Sequence, residues 1–141
     1  MRFLGHTYGY YPENHDTAWQ CDALCDGMAD IFGKLNAPNF AKGEAKEVMI
    51  NELFDKILPK FLAICEAKLA DGRTYLCGDQ LTIADFYIGG VYTNNMTNEN
   101  IPFAKERWGS CLDNFPNFKA YGERFAADNA GRVNSRGAYA M

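Results

Sequence analysis

This 141-residue sequence lacks the features that mark several large functional classes. It has no run of lysines and arginines, and its net charge of −4 argues against a general nucleic-acid binder. No apolar run approaches the roughly 18 residues that a transmembrane helix needs, and no signal-peptide core is present at the N-terminus. We therefore expect no membrane span and no nucleic-acid partner.

Residues that commonly perform catalysis are scarce or scattered. The two histidines, His6 and His15, lie close together near the N-terminus, and no Ser/His/Asp or Cys/His arrangement is apparent. The sequence has neither a phosphate-binding glycine loop nor a metal-ligand cluster, so it predicts no metal. By themselves, the residues indicate a scaffold rather than an active site.

The cysteines are odd in number and show no C-x-x-C spacing, which fits a cytoplasmic or other reducing compartment. We interpret most of them as buried, inert thiols. The five are Cys21, Cys25, Cys65, Cys77 and Cys111.

The most informative stretch runs from Tyr75 to Phe86 and predicts a strongly specified helix start. Thr82 is suited to the N-cap position, and Asp85 can reach back to the Thr82 N–H, which completes a capping box. The residues that follow are apolar on every side, as in a buried helix. Gly89 and Gly90 within it suggest that another helix passes close by. We predict that this is the central helix of an all-α domain.

Two long helices are expected before this central one. Apolar residues recur every three or four positions over 13–35, and again over 43–70, where Pro59 predicts a bend. The first helix carries an acidic row, Asp22, Asp26 and Asp30, whose like charges repel unless something compensates them. This row is either a solvated face or a place where an aspartate contacts a partner.

The ends of the chain are predicted to be less regular. Glycines, a proline and tyrosines over residues 1–12 indicate a linker or loop rather than a helix. A short helix is expected from Pro102 to about Trp108, and another from Phe115 to about Ala127, with Trp108 and Cys111 packed on the core. The resulting division is a segment at 1–12, a helical domain of five to six helices at 13–128, and a flexible tail at 129–141.

Two motifs in the sequence resemble those of a known protein family. The run Leu76-x-Gly78-Asp79-x-Leu81-Thr82-x-Ala84-Asp85 resembles the signature of the C-terminal helical domain of sigma-like glutathione S-transferases. The run Phe115-Pro116-Asn117-Phe118-Lys119-Ala120-Tyr121-x-x-Arg124-Phe125 resembles the penultimate helix of that domain. Residues 2–5 and 9–12 resemble the end of the preceding thioredoxin-like domain and the interdomain connection.

The resemblance implies a division of labour between two domains. The thioredoxin-like domain binds glutathione, the cosubstrate, and none of its residues maps onto this sequence, so no catalytic residue is assigned. Tyr8, Tyr10 and Tyr11 are expected at the substrate pocket or at a partner face. Asp22 or Asp26 is expected on the side of the dimer. Thr82 and Asp85 are expected to be structural.

Two functions remain open at this point. In the first, the chain is part of a glutathione S-transferase that conjugates or reduces with glutathione only when paired with a thioredoxin-like domain. In the second, it is a non-catalytic module within a larger assembly, a reading favoured by Met1 standing at the domain boundary. In both, we expect another polypeptide to cover the face formed by Phe3, Leu4, Tyr8, Tyr10 and Tyr11. A homodimer or larger assembly is also expected.

Overall fold

A computed structural model describes residues 1–98 and 105–135 and contains mostly helices. The α-helices in chain order are α1 Arg2–Tyr8, α2 His15–Asn36, α3 Glu44–Glu52, α4 Leu58–Leu69, α5 Ile83–Val91, α6 Lys105–Leu112, α7 Pro116–Asp128 and α8 Ala130–Ser135. A 3₁₀ turn spans Ala37–Phe40, and π-helical turns span Leu53–Ile57 and Tyr92–Met96. The predicted all-α class is confirmed.

Helix α2 packs its apolar stripe into the core as the periodicity predicts. Its buried residues recur every three or four positions, because 3.6 residues per turn keeps them on one face. They are Cys21, Leu24, Cys25, Met28, Ile31 and Leu35.

The predicted long helix over 43–70 is interrupted where a bend was expected. A π-helical turn joins α3 to α4, and the Leu58 N–H donates to the Leu53 carbonyl five residues earlier. Pro59 lies at the start of α4 and lacks the N–H that a continuous α-helix would use. Val48, Met49 and Ile64 belong to the recurring apolar residues of 43–70, yet they are exposed.

Helix α5 is the buried centre of the fold and packs mainly against α2 and α7. A Cβ at Gly89 would lie 2.5–2.7 Å from ring atoms of Phe125 on α7, whereas one at Gly90 would meet nothing within 4 Å. The predicted close helix is therefore present at Gly89 only. Trp108 and Cys111 on α6 are buried, as expected.

The N-terminal part of the chain corrects the prediction of a loop. Residues Arg2–Tyr8 form α1, although two glycines and a nearby proline disfavour a helix there. Packing explains the difference: a Cβ at Gly5 would lie 2.6 Å from the Ile83 side chain, so only glycine allows α1 to approach α5 this closely.

Several predictions concern residues near the gaps. Helix α6 ends at Leu112, beyond the expected Trp108, while its predicted start at Pro102 lies outside the described residues. Helix α7 ends at Asp128, close to the expected Ala127. Residues 130–135 form α8 within the predicted tail, and the division into 1–12, 13–128 and 129–141 stays a prediction. No helix among residues 1–98 and 105–135 is long and apolar enough to cross a membrane.

Candidate functional site

Residues 1–12, called the N-terminal segment below, lie across α2 and the N-terminal end of α5. The Ile83 N–H, the first of α5, donates to the Tyr10 carbonyl oxygen at 3.0 Å. The Tyr10 ring meets the Phe86 ring edge to face, with 5.0 Å between centroids. The N-terminal segment thus supplies a cap that α5 needs for one of its unpaired N–H groups.

A capping box joins the first turn of α5 to the loop before it. The Asp85 carboxylate is fully buried and accepts hydrogen bonds from the Thr82 N–H and hydroxyl, both at 2.8 Å to Oδ2. Its Oδ1 accepts from the Leu76 N–H at 3.0 Å and the Tyr121 hydroxyl at 3.1 Å. Burial raises the pKa of Asp85, and the four hydrogen bonds oppose that shift. The capping box at Thr82 and Asp85 is present and buried, which suits a structural role.

Two of the three aspartates in the acidic row on α2, Asp22 and Asp26, are compensated by a residue that sequence reasoning passed over. Arg2 Nε donates to Asp22 Oδ1 at 2.7 Å, and Arg2 Nη2 donates to Asp26 Oδ1 at 3.0 Å. The Tyr11 hydroxyl donates to the other Asp22 oxygen at 2.9 Å, and this hydrogen bond raises the pKa of Tyr11. Asp22 and Asp26 therefore hold the N-terminal segment in place. No periodic pattern links residue 2 to residues 22 and 26, so only the folded chain reveals the pairing.

The three tyrosines expected at one site separate in the structure. Tyr8 is 68% exposed on α1, whereas Tyr10 and Tyr11 line a cavity of about 440 Å³ between the N-terminal segment and the loop before α5. Cys77, Asp79 and Thr82, from the loop before α5, also line this cavity. Its size suits a small molecule, and its rim is acidic rather than basic.

Three cysteines lie on the two elements that border this cavity: Cys21 and Cys25 on α2, and Cys77 in the loop before α5. Hydrogen bonding with Cys25 and, second, with Cys77 lowers the pKa of Cys21. The i, i+4 spacing of Cys21 and Cys25 is visible in the sequence. Cys77 is half-buried, and its interpretation as an inert thiol stays a prediction.

An exposed apolar surface lies on the outer side of α1. Phe3 is 79% exposed, Leu4 56% and Tyr8 68%, which is unusual for three large side chains on a seven-residue helix. Contiguous apolar surfaces of this kind commonly mark interaction sites. Within the part of the chain that the structure describes, no group of three histidine, cysteine or acidic side chains could hold a metal ion.

Comparison with known proteins shows what this chain is similar to. The family described as glutathione S-transferase, C-terminal domain, matches residues 29–130. Glutathione S-transferase P of Bos taurus is 28% identical over 139 residues, which is 96% of this chain and 56% of that protein. Glutathione S-transferase P of Homo sapiens is 28% identical over 130 residues, covering 90% and 56%. S-crystallin SL11 of Nototodarus sloanii is 27% identical over 109 residues, covering 74% and 52%. The chain spans about half the length of the curated relatives it matches.

Proposed function

Because this chain belongs to the glutathione S-transferase C-terminal domain family, we propose that it is the helical half of a glutathione-dependent transferase. In this proposal it conjugates a substrate to glutathione, or reduces a substrate with glutathione, only when a thioredoxin-like domain completes it. The relatives named as transferases are matched over about half their length, which leaves room for such a domain in each of them.

The observation that carries the proposal is the exposed face of α1. Its large apolar side chains point outward, while Arg2 and Tyr11 anchor the N-terminal segment to Asp22 and Asp26 on α2. A surface element that is held in place and remains apolar is suited to dock another domain. Phe3, Leu4 and Tyr8 are the contacts we propose for it.

The cavity beside Tyr10 and Tyr11 is our proposed location for the electrophilic substrate. Its lining includes residues 9–12, which directly follow α1, so a domain docked on α1 would lie next to it. Tyr10 and Tyr11 then contribute apolar ring surface together with hydroxyl groups, a combination common in small-molecule sites. Glutathione itself would be held by the thioredoxin-like domain.

Retention on immobilised glutathione tests this proposal in two arms. In the first arm the chain alone is applied, and we expect it to pass unretained. In the second arm a thioredoxin-like domain of a glutathione S-transferase is fused ahead of Met1, and we expect retention with elution by free glutathione. Retention of the chain alone, or failure of the folded fusion to bind, would contradict the proposal.

A second candidate function is a non-catalytic module in a larger assembly. One of the relatives is named an S-crystallin rather than a transferase, so the names of the relatives do not agree on one activity. The ion pairs of Asp22 and Asp26 within the chain also favour this candidate, because they occupy carboxylates that could otherwise face a ligand. A fusion in which the thioredoxin-like domain docks tightly on the helical domain, yet which has no transferase activity, would favour the non-catalytic module.

We further propose a homodimer in a reducing intracellular compartment. Transferases of this family commonly form dimers, and α2 and α3 present exposed apolar side chains such as Trp19, Val48 and Met49. Sedimentation equilibrium of the chain over a range of concentrations tests the dimer. A single species of 15.8 kDa at all concentrations would contradict it.

A further inference from the structure

A second cavity, called the α5–α8 cavity below, lies where α5, α7 and α8 meet. It has a volume of about 650 Å³, and its lining includes Phe86 and Gly90 of α5, Phe125 of α7, Asn129 between α7 and α8, and Arg132 of α8. Among the described residues, none lines both this cavity and the one proposed for the electrophilic substrate. The function proposed above therefore does not account for it.

The wall that α5 and α7 contribute to this cavity is apolar. The rings of Phe86 and Phe125 meet edge to face, with 6.5 Å between their centroids. A Cβ at Gly90 would meet nothing within 4 Å, so space is open beside the α5 backbone at this point. Aromatic rings favour offset or edge-to-face partners. An aromatic ligand is therefore offered both ring contacts and an uncovered stretch of helix.

Arg132 gives the α5–α8 cavity its charge. Among the described residues that line the cavity, it is the only one with a charged side chain. Within residues 1–98 and 105–135 it forms no ion pair with a carboxylate. A guanidinium presents a planar fork of N–H donors that matches the two oxygens of a carboxylate. This single positive charge favours a ligand with one negative charge.

Asn129 supplies a second donor close to Arg132. Its side-chain Nδ2 donates to the Phe125 carbonyl oxygen at 2.8 Å, which holds the amide against the end of α7. An amide nitrogen carries two N–H groups, so one is left to donate to a ligand. The backbone N–H groups of Arg132 and Val133 both donate to the Asn129 carbonyl oxygen at 3.0 Å. The guanidinium and the amide are therefore carried on one helical turn, three residues apart.

We propose that the α5–α8 cavity binds a small aromatic carboxylate, whose ring lies against the α5 backbone at Gly90 and whose carboxylate pairs with Arg132. The volume is within the range of about 300–1,000 Å³ that small-molecule sites occupy. Inorganic phosphate fits less well, because it would leave the apolar wall uncovered. The proposal is independent of the function proposed above, since it needs neither glutathione nor a second domain.

A nuclear magnetic resonance titration of the ¹⁵N-labelled chain with 2-naphthoate tests this proposal. We expect saturable shifts of the amide signals of Gly90, Asn129 and Arg132, with a dissociation constant on the order of 0.1 mM. 2-Naphthylmethanol has the same rings without the charge and should bind at least about tenfold more weakly, because the charge-assisted hydrogen bonds are lost. Inorganic phosphate should give no saturable shift over the same concentration range.

Two pairs of variants separate the charge from the space. Arg132→Gln should weaken 2-naphthoate binding about tenfold or more, whereas Arg124→Gln removes an equal charge from α7 outside the cavity lining and should not. Gly90→Leu places a side chain in the cavity and should abolish binding. Gly33→Leu is its control, because a Cβ at this exposed position of α2 also meets nothing within 4 Å.

Three results with the unmodified chain would overturn the proposal. They are equal binding of 2-naphthoate and 2-naphthylmethanol, shifts centred outside the α5–α8 cavity, and the absence of any saturable shift. Because these comparisons need no substitution, they decide the matter even where a variant fails to fold. Because the titration uses no glutathione, its outcome is also separate from the outcome of the retention test for the transferase.

Discussion

Two aspartates in this molecule collect hydrogen bonds from distant parts of the chain, yet they differ in what they do. Asp85 is fully buried and accepts from four donors on the loop before α5 and on α7. Asp22 accepts from Arg2 and Tyr11, but its side chain remains 31% exposed and its neighbour Asp26 is 72% exposed.

The difference in burial decides whether each aspartate mainly stabilises the fold or mainly positions a segment of the chain. A buried donor that loses its acceptor cannot turn to water, so removing Asp85 leaves several groups unpaired at full cost. A surface ion pair that is lost is replaced by hydration, and its net contribution is small. We infer that the turn before α5 stabilises the fold, whereas the Arg2 pairs mainly set where the N-terminal segment lies.

Asp85→Ala should have the largest effect. It leaves the Leu76 and Thr82 N–H groups and the Thr82 and Tyr121 hydroxyls without their acceptor, so we expect a loss of about 3 kcal/mol or more in the free energy of unfolding. Urea titration followed by circular dichroism measures it. Asp79→Ala, an exposed carboxylate in the same loop, is the control and should change stability by no more than about 0.5 kcal/mol. Similar losses in both variants would show that burial of the carboxylate does not decide its contribution to stability.

Alanine substitution at the two adjacent glycines of α5 should change the free energy of unfolding in opposite directions. Gly89→Ala places a methyl group against the Phe125 ring, and we expect a loss of about 2 kcal/mol from overpacking. Gly90→Ala meets nothing within 4 Å, and we expect a gain of about 0.5–1 kcal/mol from helix propensity. The same urea titration compares them, and a loss of equal size at both positions would show that α5 is not packed as described.

Much of this architecture is predictable from the sequence, for an identifiable reason. Periodicity over 13–35 and the Thr82–Asp85 spacing report local structure, and both helices begin close to the predicted positions. Helix α1 could not be predicted because its stability depends on contacts with Ile83 and Asp22, which are distant in sequence. Local signals therefore predict elements, while the candidate site depends on contacts between them.

Thr82→Ala should have a smaller effect than Asp85→Ala. It removes one hydroxyl hydrogen bond to Asp85 but keeps the backbone N–H, so we expect a loss of about 1 kcal/mol. Thr82→Ser keeps the hydroxyl and should recover most of that loss. A urea midpoint for Thr82→Ala equal to that of the unmodified chain would show that the hydroxyl contributes nothing.

Arg2→Ala should have the smallest effect on global stability. We expect an unchanged urea midpoint together with faster amide hydrogen exchange in α1, because the exposed pairs with Asp22 and Asp26 hold only that helix. Lys60→Ala on α4 removes an equal charge from an exposed position and should leave exchange in α1 unchanged. A large fall in the midpoint of Arg2→Ala would place the N-terminal segment in the stabilising core instead.

The central proposal, that this chain is the helical half of a glutathione-dependent transferase, is tested most directly by the intact mass of the polypeptide in its native source. An antibody against α7 would isolate it under native conditions, and mass spectrometry would measure every polypeptide recovered. The proposal predicts either one polypeptide well above 15.8 kDa that contains a thioredoxin-like domain, or a stoichiometric second polypeptide with that fold. A polypeptide of 15.8 kDa with no such companion would contradict it.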